Sequence, residues 1–224
     1  ELIAAKLSGV PVLERSELLG IVTSWYENAF CVAGTHGKTT TTSMLTQILF
    51  GSGLDISAFI GGKLPVINGS GRAGTTDIMT CEACEFVDTF LKLYPDVAVI
   101  LNIDADHLDY FKTVDNIIKS FNKFCNNTTK AIIYNGDDEN TVKAVSSVLG
   151  KEKITFGLSD KNDFYPENIE RINGMTTEFD LIHKGEKLVR LTVSVPGEQN
   201  ILNALAASAA AHYAGVNPSD IAEN

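Results

Sequence analysis

The stretch Val32-Ala33-Gly34-Thr35-His36-Gly37-Lys38-Thr39-Thr40 combines two glycines, a lysine and a run of hydroxyls. Glycines let backbone N–H groups converge on an anion, and a helix opening directly after them adds partial positive charge. A lysine there brings a full charge toward the β/γ-phosphates of a nucleotide, and the following hydroxyl can ligate Mg²⁺. The spacing is G-x-x-G-K-T, two residues shorter than the usual phosphate loop, so the spacing alone is weak evidence. Its setting is stronger. The run 28–34 reads as a short buried strand, and Met44, Leu45, Ile48 and Leu49 give the following segment a helical apolar stripe that Gly51 and Gly53 end. The plainer reading is a glycine turn with a solvated lysine.

A second candidate is Asn102-Ile103-Asp104-Ala105-Asp106-His107-Leu108-Asp109. It follows the apolar run 97–103, which reads as a strand covered on both faces. Open parallel sheets place ligands at the carboxyl ends of their strands. Asn102, Asp104, Asp106, His107 and Asp109 therefore suggest a metal or charged-ligand site, against the plainer reading of a polar loop with capping aspartates.

A third is Cys81-Glu82-Ala83-Cys84, a C-x-x-C that reads either as a redox dithiol or as half of a zinc site. The preceding residues read as a strand over 75–83. In an extended segment residues three apart lie about 10 Å apart on opposite faces, beyond disulfide reach, and no second cysteine pair or nearby histidine completes a zinc site. No zinc is expected at Cys81 and Cys84. The glycine pattern from Gly69 to Gly74 matches G-x-G-x-x-G, yet a strand-like segment follows it rather than a helix. It reads as part of a mobile glycine loop over 61–74, not as a dinucleotide fingerprint.

These groups need elements to hold them. Helices are expected over 113–126, 138–149 and 197–215, and strands over 55–62, 130–135 and 153–157. Such alternation implies a mostly parallel sheet flanked by helices. Residues 163–195 alternate polar and apolar with a turn at 183–186, and read as a small antiparallel β appendage. Residues 1–27 read as helix, a short strand at Val10–Leu13, and a second helix capped by Ser16. The α/β class fits a chain of 224 residues with 44% hydrophobic and 21% charged residues. A net charge of −10 argues against non-specific nucleic-acid binding. No stretch approaches the roughly 18–20 apolar residues of a membrane span, and the first twenty residues lack the pattern of a signal peptide. Four cysteines are too few for a disulfide scaffold and suit a reducing cytoplasm.

Taken in order, GTHGKTTTT, EACEFVDTFLKLYPDVAVILNIDADHLDYF and PGEQNILNALAA resemble the Mur ligases over the whole chain, and most of all their alanine-adding branch. The resemblance implies a P-loop central domain at 28–224, a tail of the N-terminal UDP-binding domain at 1–27, and a C-terminal ligase domain beyond residue 224. Both ends read as cut through structure, and catalysis by this piece alone is not expected. The resemblance further implies a cytoplasmic ligase of peptidoglycan synthesis. It would take ATP with Mg²⁺, tolerate Mn²⁺, and join UDP-N-acetylmuramate to L-alanine through an acyl phosphate.

Carried over by position, Gly34, Thr35, His36, Gly37, Lys38, Thr39 and Thr40 bind the nucleotide, with Lys38 on the β/γ-phosphates. Thr39 and Glu82 hold the first metal, His107 a second, and Asn200 and Asn203 hold adenine. Lys38, Glu82 and His107 carry catalysis, and segment 61–74 approaches the UDP-muramoyl substrate. The chain departs from the family pattern in three places. Gln199 stands in the G-x-H-N histidine's place, Cys84 where aspartate is common, and Asn122 near the position of the carbamylated lysine of related ligases, so carbamylation of the adjacent Lys123 is not expected. Glu85 is a candidate supporting carboxylate. The rival readings are a ligase that recycles peptide onto UDP-N-acetylmuramate, another Mur-type or folylpolyglutamate-type ligase, a P-loop phosphotransferase, and a non-catalytic ATP-binding module.

Overall fold

The computed structural model describes residues 2–172 and 174–224. Glu1 and Asn173, inside stretches read as helix and antiparallel strand, lie outside the described residues. In chain order the elements begin with α1 (Leu2–Leu7), α2 (Arg15–Thr23), β1 (Asn28–Ala33), α3 (Lys38–Gly51), β2 (Ser57–Leu64), β3 (Gly69–Arg72), β4 (Ile78–Glu82) and β5 (Val97–Ile100). They continue with α4 (Leu108–Phe111), α5 (Val114–Asn127), β6 (Ala131–Asn135), α6 (Glu139–Ser146), β7 (Glu152–Phe156), β8 (Phe164–Ile172), β9 (Thr176–His183), β10 (Glu186–Val193), α7 (Glu198–Tyr213) and α8 (Pro218–Glu223).

Among the described residues the strands form one ten-stranded sheet, ordered β10-β9-β8-β7-β6-β5-β1-β4-β2-β3. The run from β2 through β8 is parallel, and β3, β9 and β10 are antiparallel to their neighbours. The class is α/β, as expected. The antiparallel strands continue the main sheet through the pairing of Phe156 with Phe164.

Side-chain alternation along the strands divides the core between two faces. Phe30 and Val32 of β1 and Val97 and Val99 of β5 pack with Leu45 and Leu49 of α3 and the buried side of α7. Cys31, Ala33, Cys81, Ala98 and Ile100 pack on the opposite face with Phe121 and Phe124 of α5 and Val145 of α6. There Phe90 stacks on Phe124 at 4.7 Å between ring centroids. Alanines buried along α7 let its backbone lie close to its neighbours, and Thr41 of α3 donates to Asn203 of α7 at 3.2 Å.

Several local expectations need correction. Residues 10–13 form no strand, because that exposed segment has no neighbouring edge to pair with. The cap of α2 is Glu14 rather than Ser16: Glu17 accepts from the Glu14 backbone N–H in a reciprocal capping box. Segment 61–74 is not a plain loop; it holds the end of β2 and all of β3, which folds back on β2 through a short 3₁₀ turn at Pro65–Ile67. Residues 86–92, to which the sequence assigned no element, form a 3₁₀ segment kinked by left-handed backbone at Val87 (φ 52°) and Asp88 (φ 57°).

Candidate functional site

Three adjacent parallel strands deliver the three motifs to one edge of the sheet. β1 runs into the loop Gly34–Gly37, β4 ends at Glu82 level with Val32, and β5 leads into Asn102 and His107. The chain leaves β1 to one side and returns to its other side at β5, which makes this edge a switch point where α/β sheets open a crevice.

The loop is fixed from both sides. The His36 N–H donates to Asn102 Oδ1 at 2.8 Å, and Asn102 Nδ2 donates back to the His36 carbonyl at 3.0 Å. The Thr35 N–H donates to the Asn102 carbonyl, and Thr35 Oγ1 accepts from the Asp104 N–H at 2.9 Å. Gly37 has φ 85°, and a Cβ there would meet Asn203 Oδ1 at 2.4 Å, so glycine is required both by the backbone and by the approach of α7. Asn203 Nδ2 donates to Asn200 Oδ1 at 3.0 Å, and Asn200 Nδ2 donates to the Pro196 carbonyl. Both amides are nearly buried, and each Asn203 amide atom keeps one further hydrogen-bonding position. A small cavity opens here between His36, Asn102, Phe156, Gln199 and Asn203.

Lys38 bends back over the loop. Its ammonium donates to the carbonyls of Gly34 and Thr35 and to Glu85 Oε1 at 3.1 Å, with Glu85 Oε2 at 2.9 Å. The Glu85 side chain is only 3% exposed, so this pair is largely shielded from water. Thr39 Oγ1 donates to Glu82 Oε2 at 2.9 Å, and the Gly61 N–H donates to the same oxygen at 2.8 Å. Thr40 stands half-buried on the first turn of α3 and, with Thr39, Ser43 and Lys63, lines a cavity of about 650 Å³.

The parity of β4 separates Glu82 from its cysteine neighbour. Thr80 and Glu82 face α3, with Thr80 hydrogen-bonded to Thr46 at 2.7 Å, whereas Cys81 faces the α5 side beside Cys31. A hydrogen bond with Cys81, reinforced by burial, pushes the Cys31 thiol well above its usual range. β4 ends at Glu82, so the extended-segment distance between Cys81 and Cys84 does not apply past that point.

Within the acidic stretch 102–109 the polar groups have separate partners. Asn102 clamps the loop, Asp104 lies 3.8 Å from His36, and Asp106 accepts from the His107 N–H at 2.7 Å. His107 itself adopts φ 51° at the start of α4, and its ring lies 4.8 Å from that of Phe86. Among the described residues no three His, Cys, Asp or Glu side chains gather closely enough to hold a metal ion. The hydroxyl of Thr39 and the carboxylate of Glu82 form a hard oxygen pair that fits Mg²⁺, which is commonly held by one or two carboxylates with substrate phosphates and water. Asn122 donates to the Ala144 carbonyl of α6 at 2.7 Å. The reciprocal clamp of Asn102 and the Gly61 amide on Glu82 escape sequence reasoning, because backbone partners leave no residue-type signal. No helix among the described residues is long and apolar enough to cross a membrane.

Residues 32–211 match the family model for the Mur ligase middle domain. The chain is 42% identical to the UDP-N-acetylmuramate–L-alanine ligase of Caldicellulosiruptor saccharolyticus over 226 aligned residues, covering all of this chain and 49% of that protein. The solved UDP-N-acetylmuramate–alanine ligase of Thermotoga maritima superposes with a TM-score of 0.83 at 25% identity, over 99% of this chain and 50% of the other. The UDP-N-acetylmuramate:L-alanyl-γ-D-glutamyl-meso-diaminopimelate ligase from Neisseria meningitides gives 0.86 at 26% identity, over 99% and 72%. The chain spans about half the length of the curated relatives it matches. With strand order, phosphate loop and family model in agreement, this chain belongs to the Mur ligase family.

Proposed function

We propose that the whole protein joins the carboxylate of UDP-N-acetylmuramate to the amine of L-alanine in peptidoglycan synthesis, with ATP as phosphoryl donor. The observation that carries this reading is the apposition of Thr39, on the first turn of α3, to Glu82 at the end of β4, with Lys38 paired to Glu85 just beyond it. Similarity along the whole chain to curated alanine ligases supports the choice of substrates. In this reading residues 1–27 end a UDP-binding domain, residues 28–224 form the central ATP-binding domain, and the enzyme works in the cytoplasm.

A carboxylate is a poor electrophile until one of its oxygens joins a good leaving group. The muramoyl carboxylate attacks the γ-phosphorus of ATP, the bond to the β,γ-bridging oxygen breaks, and ADP departs. The alanine amine then attacks the acyl carbon, phosphate leaves with the bonding electrons, and the surplus amine proton passes to solvent. The protein's share is position and charge. Backbone N–H groups of the loop and the start of α3 cradle the phosphates, and Lys38 exchanges Glu85 for the β/γ oxygens. Thr39 and Glu82 hold Mg²⁺, which when bound neutralises charge on the transferring phosphoryl group. His107 serves a second cation, its nitrogen making Mn²⁺ an acceptable substitute. Asn200 and Asn203 orient adenine beside Gly37, and the β2–β3 segment lies on the muramoyl side, next to Glu82.

The test is ADP release by the full-length protein with UDP-N-acetylmuramate and a panel of amino acids. Stimulation by L-alanine with amide product is expected. No stimulation by any single amino acid overturns the reading. The likeness to the Neisseria ligase favours a second acceptor, the L-alanyl-γ-D-glutamyl-meso-diaminopimelate peptide. Release stimulated by that peptide and not by L-alanine would select it.

A further inference from the structure

The segment after Glu82 touches both halves of the candidate site within seven residues. Glu82 meets Thr39, Glu85 meets Lys38, Phe86 lies against His107, and Asp88 reaches furthest. Asp88 Oδ2 accepts from the Tyr110 hydroxyl at 2.9 Å, and Oδ1 accepts from Ser120 of α5. Tyr110 sits on the short helix that His107 opens, and its N–H donates to the His107 carbonyl. Val87 and Asp88 both hold left-handed backbone, a conformation that a β-branched residue such as Val87 adopts only when its surroundings enforce it. Thr89 closes the kink locally on the Cys84 and Phe86 carbonyls, and the carboxylate of Asp88 pins it from outside, its two oxygens tying it to α4 and α5 at once.

We propose that Asp88 is a positioning residue: by tying the Glu82–Glu85 strand end to the turn that carries His107, it fixes the separation between the Thr39–Glu82 oxygen pair and the imidazole. Asp88 touches neither the nucleotide loop nor Glu82 itself. It acts through the Tyr110 hydroxyl on the His107 turn and through its own backbone on Glu85. The proposal rests on the reading of Glu82 and His107 as cation-holding groups. Outer partners that orient such groups typically cost about 10- to 100-fold in metal affinity or activity when removed.

The experiment uses the full-length protein and two variants, Asp88→Ala and Tyr110→Phe. The second keeps the ring and deletes only the hydrogen bond. Mn²⁺ binding is followed by electron paramagnetic resonance in the presence of a non-hydrolysable ATP analogue, alongside thermal midpoints and steady-state kinetics. For Asp88→Ala we expect Mn²⁺ affinity to fall by about tenfold or more, kcat to fall with it, and the KM for ATP to stay within about twofold. Tyr110→Phe should shift the same quantities in the same direction by less. Mn²⁺ affinity within twofold of the parent in both variants overturns the proposal. So does a loss in which Mn²⁺ affinity, KM for ATP and thermal midpoint all decline together, the mark of a merely structural role. Absence of alanine ligation by the parent protein defeats the proposed function alone, because the Mn²⁺ titration still decides the role of Asp88.

Discussion

Glu82 is held by one hydroxyl and one backbone amide, and the amide is available because residue 61 has no side chain. A Cβ on Gly61 would lie 2.7 and 2.8 Å from the two Glu82 carboxylate oxygens. Gly61→Ala should displace the carboxylate rather than the strand, since the carboxylate is the softer partner. The expected outcome is a Mg²⁺ requirement raised about tenfold with an unchanged circular dichroism spectrum, read by Mg²⁺ titration of ADP release. Lys38→Ala removes charged hydrogen bonds worth about 1.5–3 kcal/mol, so calorimetry should show ADP affinity weakened about 10- to 100-fold. The same change leaves Glu85 buried without its cation, and denaturant titration should show a stability loss of about 1–3 kcal/mol. Cys81→Ser, on the opposite face of β4, should leave the Mg²⁺ requirement within twofold. Lys38 and Thr39 stood out because their residue types follow a glycine loop, whereas Glu82 was singled out only by the resemblance, since the cysteines on either side mask it. Glu85 was legible only as a nearby carboxylate, since its partner lies 47 positions away in sequence.

The elements most readily read were those whose pattern matches their burial. β5 is apolar throughout and covered on both faces, and α5 buries Ile117, Phe121, Phe124 and Cys125 at helical spacing. β3 was missed because Gly69-Ser70-Gly71-Arg72 has no strand propensity, and its pairing depends on β2 alone. The kink at Val87 and Asp88 was missed because long-range side-chain bonds impose it. The junction of β9 with α7 has a pH signature of its own. His183 stacks on Phe164 at 4.2 Å, and His212 of α7 meets the His183 ring at 4.9 Å. Burial lowers the pKa of both, and neighbouring Lys184 lowers them further, while Asp163 and Glu186 partly offset this at His183. The folded chain therefore binds fewer protons than the unfolded chain below about pH 6.5, and its stability falls as pH drops through that region. The thermal midpoint should decline between about pH 7 and pH 5, and His212→Leu should flatten that decline relative to the parent.

Among the described residues the molecule is one sheet with two separately filled faces, and α7 buries eleven of its sixteen residues in one of them. Ala206 and Ala207 are fully buried in it. Ala207→Leu should cost about 1–3 kcal/mol by overpacking, measured by denaturant midpoint at constant slope. Mostly parallel order followed from strands alternating with helices, whereas the switch point at β1 depends on a strand order that only long-range pairing sets. The fusion of β8 to the main sheet did not, since it rests on one pairing of Phe156 with Phe164 that no local pattern announces.

The alternation along β4 also has a consequence for protein engineering. The β9–β10 turn at Lys184 and Gly185 can gain or lose residues without moving the site, because it carries none of the site's groups and β1, β4 and β5 are located by one another's hydrogen bonds. A single-residue insertion or deletion inside β4 is different in kind. It would exchange odd for even, turn a thiol toward Thr39 and bury the carboxylate among Phe90, Phe121 and Phe124. Libraries that vary the length of the β9–β10 turn should therefore retain nucleotide-binding clones, while one-residue indels between Ile78 and Glu82 should retain none.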